Sequence, residues 1–136
     1  SYFLARGLFA YSASFAPQEH RSARFQIGVL FWACGLAINV DADNTLRALR
    51  PAGCSSAYAI PHGKLFSFVS CPNYFGEIIE WCGFAVAARD VHAAAAFALW
   101  TAATLLPRAM QHHRWYLARF QSYAALRRKA CIPCVL

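Results

Sequence analysis

Apolar residues come in three runs along this chain, at residues 25–40 (FQIGVLFWACGLAINV), 74–88 (YFGEIIEWCGFAVAA) and 93–106 (AAAAFALWTAATLL). Each is shorter than the roughly 20 residues that cross a bilayer unaided, and each reaches that length if extended by a turn into its polar flanks. The opening stretch, residues 2–15, reads as the end of a fourth helix. The pattern predicts an all-α, multi-pass transmembrane helical bundle of three to four membrane helices, with Pro107 ending the third run. An amphipathic C-terminal helix follows it. Residues 1–136 read as one unit, the C-terminal part of a longer membrane domain whose N-terminal half is absent.

Composition supports lipid contact. The chain is 59% hydrophobic and only 14% charged, against about 25% charged in an average soluble protein. Its net charge is +7, and the excess is uneven: six bases and no acid lie between Arg108 and the C-terminus. If all three runs span, the 41–73 connection and the 107–136 tail share a side. Together they hold nine bases, against Arg89 alone in the short 89–92 hairpin. Positive charge gathers on the cytosolic face, so the C-terminus is expected there. The basic bias points to phosphate-bearing partners and membrane lipid, and the greasy remainder argues against nucleic acid. Cys131 and Cys134 form a CxxC with no second pair to complete a zinc site, so no metal is expected.

Three polar faces interrupt the apolar pattern at helical spacing. One is Asn39, Asp43, Arg47 and Arg50, where Asp43 and Arg47 could equally form a simple i,i+4 ion pair. A second is Asn73, Glu77 and Glu80, with Pro72 opening the helix and Asn73 placed to cap it. A carboxylate in a membrane segment costs about 2.5–3.5 kcal/mol on insertion scales, so two within one turn must meet a partner or a wet cavity. Arg108 or His112 would serve as the partner. The third face is Arg108, His112, Trp115, Tyr116 and Arg119, which reads either as part of a site or as a basic helix lying on headgroups. Cations, amides, carboxylates and aromatics at helix ends suit a dinucleotide, with arginine forks on phosphate. Neither GxGxxG nor GxxxxGK[ST] is present, so such a pocket is helical and not a Rossmann crevice.

Three blocks in order, "GLAINVDADNTLRALR", "YAIPHGKLFSFVSCPNYFGEIIEWCGFAVAA" and "HHRWYLARFQSYAALRRKACIP", closely resemble the C-terminal region of the steroid 5α-reductases, from about Phe25 to the end. Two departures lie in the tail: Ala124 stands where the family has proline, and the spacing to "RRKA" is one residue longer. The resemblance implies an NADPH-dependent membrane enzyme of the endoplasmic reticulum. It would reduce the C=C bond of a 3-oxo-Δ4 steroid or sterol-like lipid. It also implies a cofactor site of Asn39, Asp43, Arg50, Tyr58, Asn73, Glu77, Trp81, Arg108, His112 and Tyr116. Asp43 would take the adenosine ribose, Arg50 and Tyr58 phosphate, and Asn73, Glu77 and Tyr116 the nicotinamide end. Catalytic residues are expected in the missing half and none in these residues, so the fragment alone is expected to be inactive. Enoyl thioesters and polyprenols are alternative substrates within the superfamily. A non-catalytic truncated membrane protein is a further alternative, and an isoprenylcysteine methyltransferase would need an Arg-His-Pro motif that is lacking.

Overall fold

The computed structural model describes residues 22–49, 59–88 and 91–133. Three α-helices dominate: α1 (Ala23–Ala48), α2 (Pro72–Ala87) and α3 (Val91–Arg119). Short 3₁₀ turns at Lys64–Ser67 and Gln121–Leu126 lie before α2 and after α3. No strand occurs among the described residues beyond one bridge between Val69 and Lys129. The fold is therefore all-α, as the apolar periodicity predicts.

Each of the three runs becomes one helix, and each helix is longer than its run. Ser22 caps α1 by accepting a hydrogen bond from the Phe25 N–H at 3.2 Å, and the helix continues past Val40 to Ala48. Asp43 and Arg47 therefore sit on α1 itself. α3 runs unbroken through Pro107, which corrects the expected stop there. Proline removes one backbone donor and crowds the preceding turn, yet apolar helices tolerate it where neighbours and nearby hydroxyls re-satisfy the backbone. Here the Thr104 hydroxyl donates to the Thr101 carbonyl at 2.9 Å, within the turn before Pro107. The polar face at Arg108–Arg119 is the lower half of α3 and not a separate surface helix. Among the described residues, α1 and the stretch 92–119 are long and apolar enough to cross a membrane. At 16 residues α2 is too short to do so unaided. Cys71 is its N-cap with Pro72 at the first position, and no side chain caps it, so Asn73 does not serve as the expected cap.

α1 and α2 pack antiparallel along four glycines. Gly28 and Gly35 are seven residues apart on α1, and Gly76 and Gly83 are seven apart on α2. A Cβ on Gly28 would lie 2.5 Å from the Ala87 nitrogen, and one on Gly76 would lie 2.7 Å from both the Asn39 nitrogen and the Gly35 carbonyl oxygen. On Gly35 it would strike the backbone of Glu80, and on Gly83 that of Trp32. The two backbones therefore touch. In lipid, where water drives no apolar burial between helices, small residues permit this close approach and the dispersion it brings.

α3 joins α2 through a different chemistry. Cys71, Ala109, Ala130 and Cys131 form a buried cluster, packed by Tyr74, Phe75, Ile78, Leu106, Met110 and Ile132. Higher up, Trp81 of α2 meets Phe97 of α3 edge-on at 4.4 Å between centroids. The outer faces remain apolar, with Leu30 and Phe31 on α1 and Leu99 and Trp100 on α3 all exposed, as suits a lipid-facing surface.

Candidate dinucleotide site and its supporting clamp

A cavity of about 360 Å³ is lined by α1 and α2 alongside the glycine contact. Leu36, Asn39, Val40, Asp43, Asn44 and Arg47 line it from α1, and Glu77, Glu80 and Trp81 from α2. The spacing on α1 is helical, so one face presents two amides, one carboxylate and one guanidinium. Across the gap stand two more carboxylates. Glu80 is buried. No ion pair joins Asp43, Glu77 or Glu80 to a base among the described residues. The alternative of a simple Asp43–Arg47 ion pair is not formed, and among the described residues Asp41 pairs with Lys64.

The charges are graded along the cavity. From Asn39 to Arg47 the helix rises about 12 Å. Asn39 adjoins Gly76 at the close helix contact, and Arg47 lies in the last turn of α1. Hydroxyls and amide N–H groups suit the carboxylates, and an anion suits Arg47. Trp81 adds a flat aromatic wall backed by Phe97. This donor and acceptor set fits part of a dinucleotide: sugar hydroxyls on Asp43 and the glutamates, and phosphate toward Arg47.

Of the ten residues expected in a cofactor site, Asn39, Asp43, Glu77 and Trp81 line this cavity. Asn73 lies one helical turn before Glu77, at the start of α2. Arg108 and His112 are exposed on the lower half of α3, where His112 Nε2 meets the Tyr74 hydroxyl at 3.4 Å. Tyr116 is buried and stacks on Tyr123 at 4.9 Å with a 12° interplanar angle. Arg50 and Tyr58 lie outside the described residues. Three polar lining residues stood outside the expected set. Arg47 and Glu80 were visible in the polar faces, and Asn44 carries no signal beyond its place beside Asp43.

Below the cavity, the tail docks onto α2 and α3 through a second polar cluster. After the turn at Gln121–Leu126, Arg127 adopts left-handed geometry (φ 48°) and turns the chain back. The Lys129 N–H donates to the Phe68 carbonyl at 2.9 Å, and the Ser70 and Cys71 N–H groups donate to the Lys129 and Ala130 carbonyls at 2.8 and 3.1 Å. Arg128 is buried; Nη1 donates to the Pro61 carbonyl at 2.8 Å and the guanidinium lies 5.4 Å from the Tyr123 ring centre. Its Nε finds no partner among the described residues. Burial pushes the Cys71 thiol up to about 12, aided by neighbouring Cys131, whose own thiol burial pushes up to about 11.

Long apolar helices lining a charged cavity define a helical membrane protein. The family model described as 3-oxo-5-alpha-steroid 4-dehydrogenase matches residues 1–136, and the chain belongs to that family. It is 48% identical over 112 residues to the Rattus norvegicus 3-oxo-5-alpha-steroid 4-dehydrogenase 1, covering 82% of this chain and 42% of the relative. With the Homo sapiens 3-oxo-5-alpha-steroid 4-dehydrogenase 1 it shares 43% over 131 residues, 96% of this chain and 49% of the relative. With the Arabidopsis thaliana steroid 5-alpha-reductase DET2 it shares 45% over 112 residues, 82% and 42% respectively. The chain spans about half the length of the curated relatives it matches, or less.

Proposed function

We propose that these residues form most of the dinucleotide-binding half of an NADPH-dependent reductase acting on the conjugated C=C bond of a 3-oxo-Δ4 steroid or sterol-like lipid. The observation that carries this reading is the cavity itself, which brings three carboxylates and an arginine together between apolar helices in a member of the steroid dehydrogenase family. Charges in such a place are retained for a ligand. Asp43 would hold the adenosine ribose, and Arg47, with Arg50 and Tyr58, the phosphates. Asn73, Glu77, Trp81, Arg108, His112 and Tyr116 would surround the nicotinamide end. The bound cofactor supplies a hydride. The chain's own contribution is to bind and orient it: carboxylates fix hydroxyl and amide groups, the arginine fixes phosphate, and packed helices exclude water. The acid that donates to the steroid belongs to the half not spanned here, so residues 1–136 alone would bind and not turn over. The basic tail faces the cytosol in this reading, in the endoplasmic reticulum membrane.

The test uses a family-length protein that contains these residues, purified in detergent and titrated with NADPH by calorimetry. Glu77→Gln and Arg108→Ala are each expected to weaken binding roughly tenfold, the loss of one charge-assisted contact. Unchanged affinity in both variants rejects the assignment.

A further inference from the structure

The Ser70 hydroxyl is the meeting point of three separate segments. It lies 2.6 Å from His113 Nδ1 on α3, accepts from the Tyr123 hydroxyl of the tail at 2.7 Å, and lies 3.1 Å from the Lys129 carbonyl oxygen. Ser70 itself belongs to the segment that enters α2, and it is buried. A hydroxyl has one proton to give and two lone pairs to share. A carbonyl only accepts, so the proton goes to Lys129. Tyr123 donates, which leaves the second lone pair for His113. Full satisfaction therefore requires His113 to donate from Nδ1.

We infer that Ser70 is a positioning residue for the nicotinamide end of the dinucleotide site, acting through His113 on its neighbour His112. This rests on the functional reading above. His113 and His112 are consecutive on α3, and Ser70, just before α2, is four residues from Tyr74 in its first turn. The two pairs, Ser70–His113 and Tyr74–His112, therefore fix α3 against α2 at adjacent points. The first contact is short and buried on the serine side, and the second is long and exposed. The strong contact sets the register that the weak one needs. Tyr123 ties the same hydroxyl to the tail and also stacks on Tyr116. One buried oxygen thus aligns His112 and Tyr116 with Asn73 and Glu77.

The experiment compares Ser70→Ala, Ser70→Thr and Tyr123→Phe in the family-length protein. One readout needs no cofactor: ¹⁵N-imidazole NMR of His112 and His113. In the parent, His113 should show the Nδ1–H form; in Ser70→Ala that signature is lost and the His112 resonances move, whereas Ser70→Thr retains both. The second readout is NADPH affinity, expected to fall roughly tenfold in Ser70→Ala and to stay within about twofold of the parent in Ser70→Thr. The steroid KM should not change. Should Ser70→Ala fail to fold, Tyr123→Phe carries the test with a smaller loss in the same direction. Parent-like His112 resonances and NADPH affinity, with only a lowered melting temperature, would make Ser70 a structural residue and overturn the inference. A parent that binds no NADPH instead removes the functional reading, and the positioning role falls with it.

Discussion

The cavity between α1 and α2 and the clamp beneath it use similar polar residues to opposite ends. In the cavity, Asp43, Glu77 and Glu80 share a space with one arginine and form no ion pair among the described residues. In the clamp, the Ser70 oxygen has three polar neighbours, and Arg128 bonds a backbone carbonyl and covers an aromatic ring. Backbone contact through glycine supports the first, and hydrogen bonds between distant segments close the second. Charge without an ion-pair partner in an apolar setting marks a place for a ligand, and hydrogen bonds between distant segments mark an anchor, even with Arg128 Nε left unpartnered there.

The comparison breaks most severely if the glycine contact is blocked. Gly35→Leu would drive a side chain into the backbone at Glu80. Ordinary overpacking costs about 1–3 kcal/mol because side chains can move aside. Backbone cannot, so the loss should exceed the upper end of that range. Fluorescence-detected size-exclusion should show aggregated protein, while Ala33→Leu on the exposed side of α1 elutes as the parent does.

Neutralising a cavity acid should have the opposite sign. Glu80→Gln removes a charge whose place in an apolar segment costs about 2.5–3.5 kcal/mol on insertion scales. Without NADPH the variant should melt higher than the parent, by on the order of 1–3 kcal/mol of stability, and bind NADPH more weakly. Tyr123→Phe in the clamp should melt lower, by about 1 kcal/mol for one lost hydrogen bond. Thermal scans with and without cofactor read both signs. A lower melting point for Glu80→Gln would place that residue among the anchors and erase the distinction.

The clamp also carries an alkaline limit. An exposed thiol ionises near 9.0, whereas Cys71 and Cys131 hold their protons to about 12 and about 11. Below pH 9 the folded and unfolded chains both keep the thiols neutral, so these groups give no pH dependence. As pH rises from 9 toward 12, the unfolded chain loses protons that the folded chain retains, and stability falls. Cys71→Ala with Cys131→Ala should flatten that alkaline slope in a urea titration. At pH 8 both native thiols should resist maleimide while exposed Cys34 and Cys82 react in detergent.

Helical spacing made the cavity legible and left the clamp hidden. Asn39, Asp43 and Arg47 fall on one face by periodicity, and Glu77 and Glu80 are conspicuous because charge is rare in such a run. Their convergence needed only that two apolar helices pack. The glycines that let them pack were present as two seven-residue intervals, but small residues carry no signal until a partner is known. Pro107 reads as a breaker in water, and the apolar helix absorbs it. Ser70 finds His113 and Tyr123 across 43 and 53 residues, a pairing no local pattern announces. Tyr116 shows the same limit: its stacking on Tyr123 of the tail is a contact the helical pattern does not announce.

The smallest expected effect concerns the bridge between the two regions. Lys64 belongs to the segment that the clamp holds at Pro61, and it pairs with Asp41 on α1 beside the cavity. Gly63 and Lys64 both have positive φ, 90° and 47°. A lysine there carries about 1 kcal/mol of strain that glycine would not. Against that, Lys64→Gly loses an ion pair whose partners are 69% and 44% exposed, worth about 0.2–1 kcal/mol, and frees the unfolded chain by a further 0.4–1 kcal/mol or so. These terms partly cancel, leaving between a gain of about 0.4 and a loss of about 1 kcal/mol, so the melting point should move little. Adding salt to the parent should change little for the same reason. A loss well above 1 kcal/mol, suppressed by salt, would show that Asp41–Lys64 couples clamp to cavity and that the two regions cannot be treated separately.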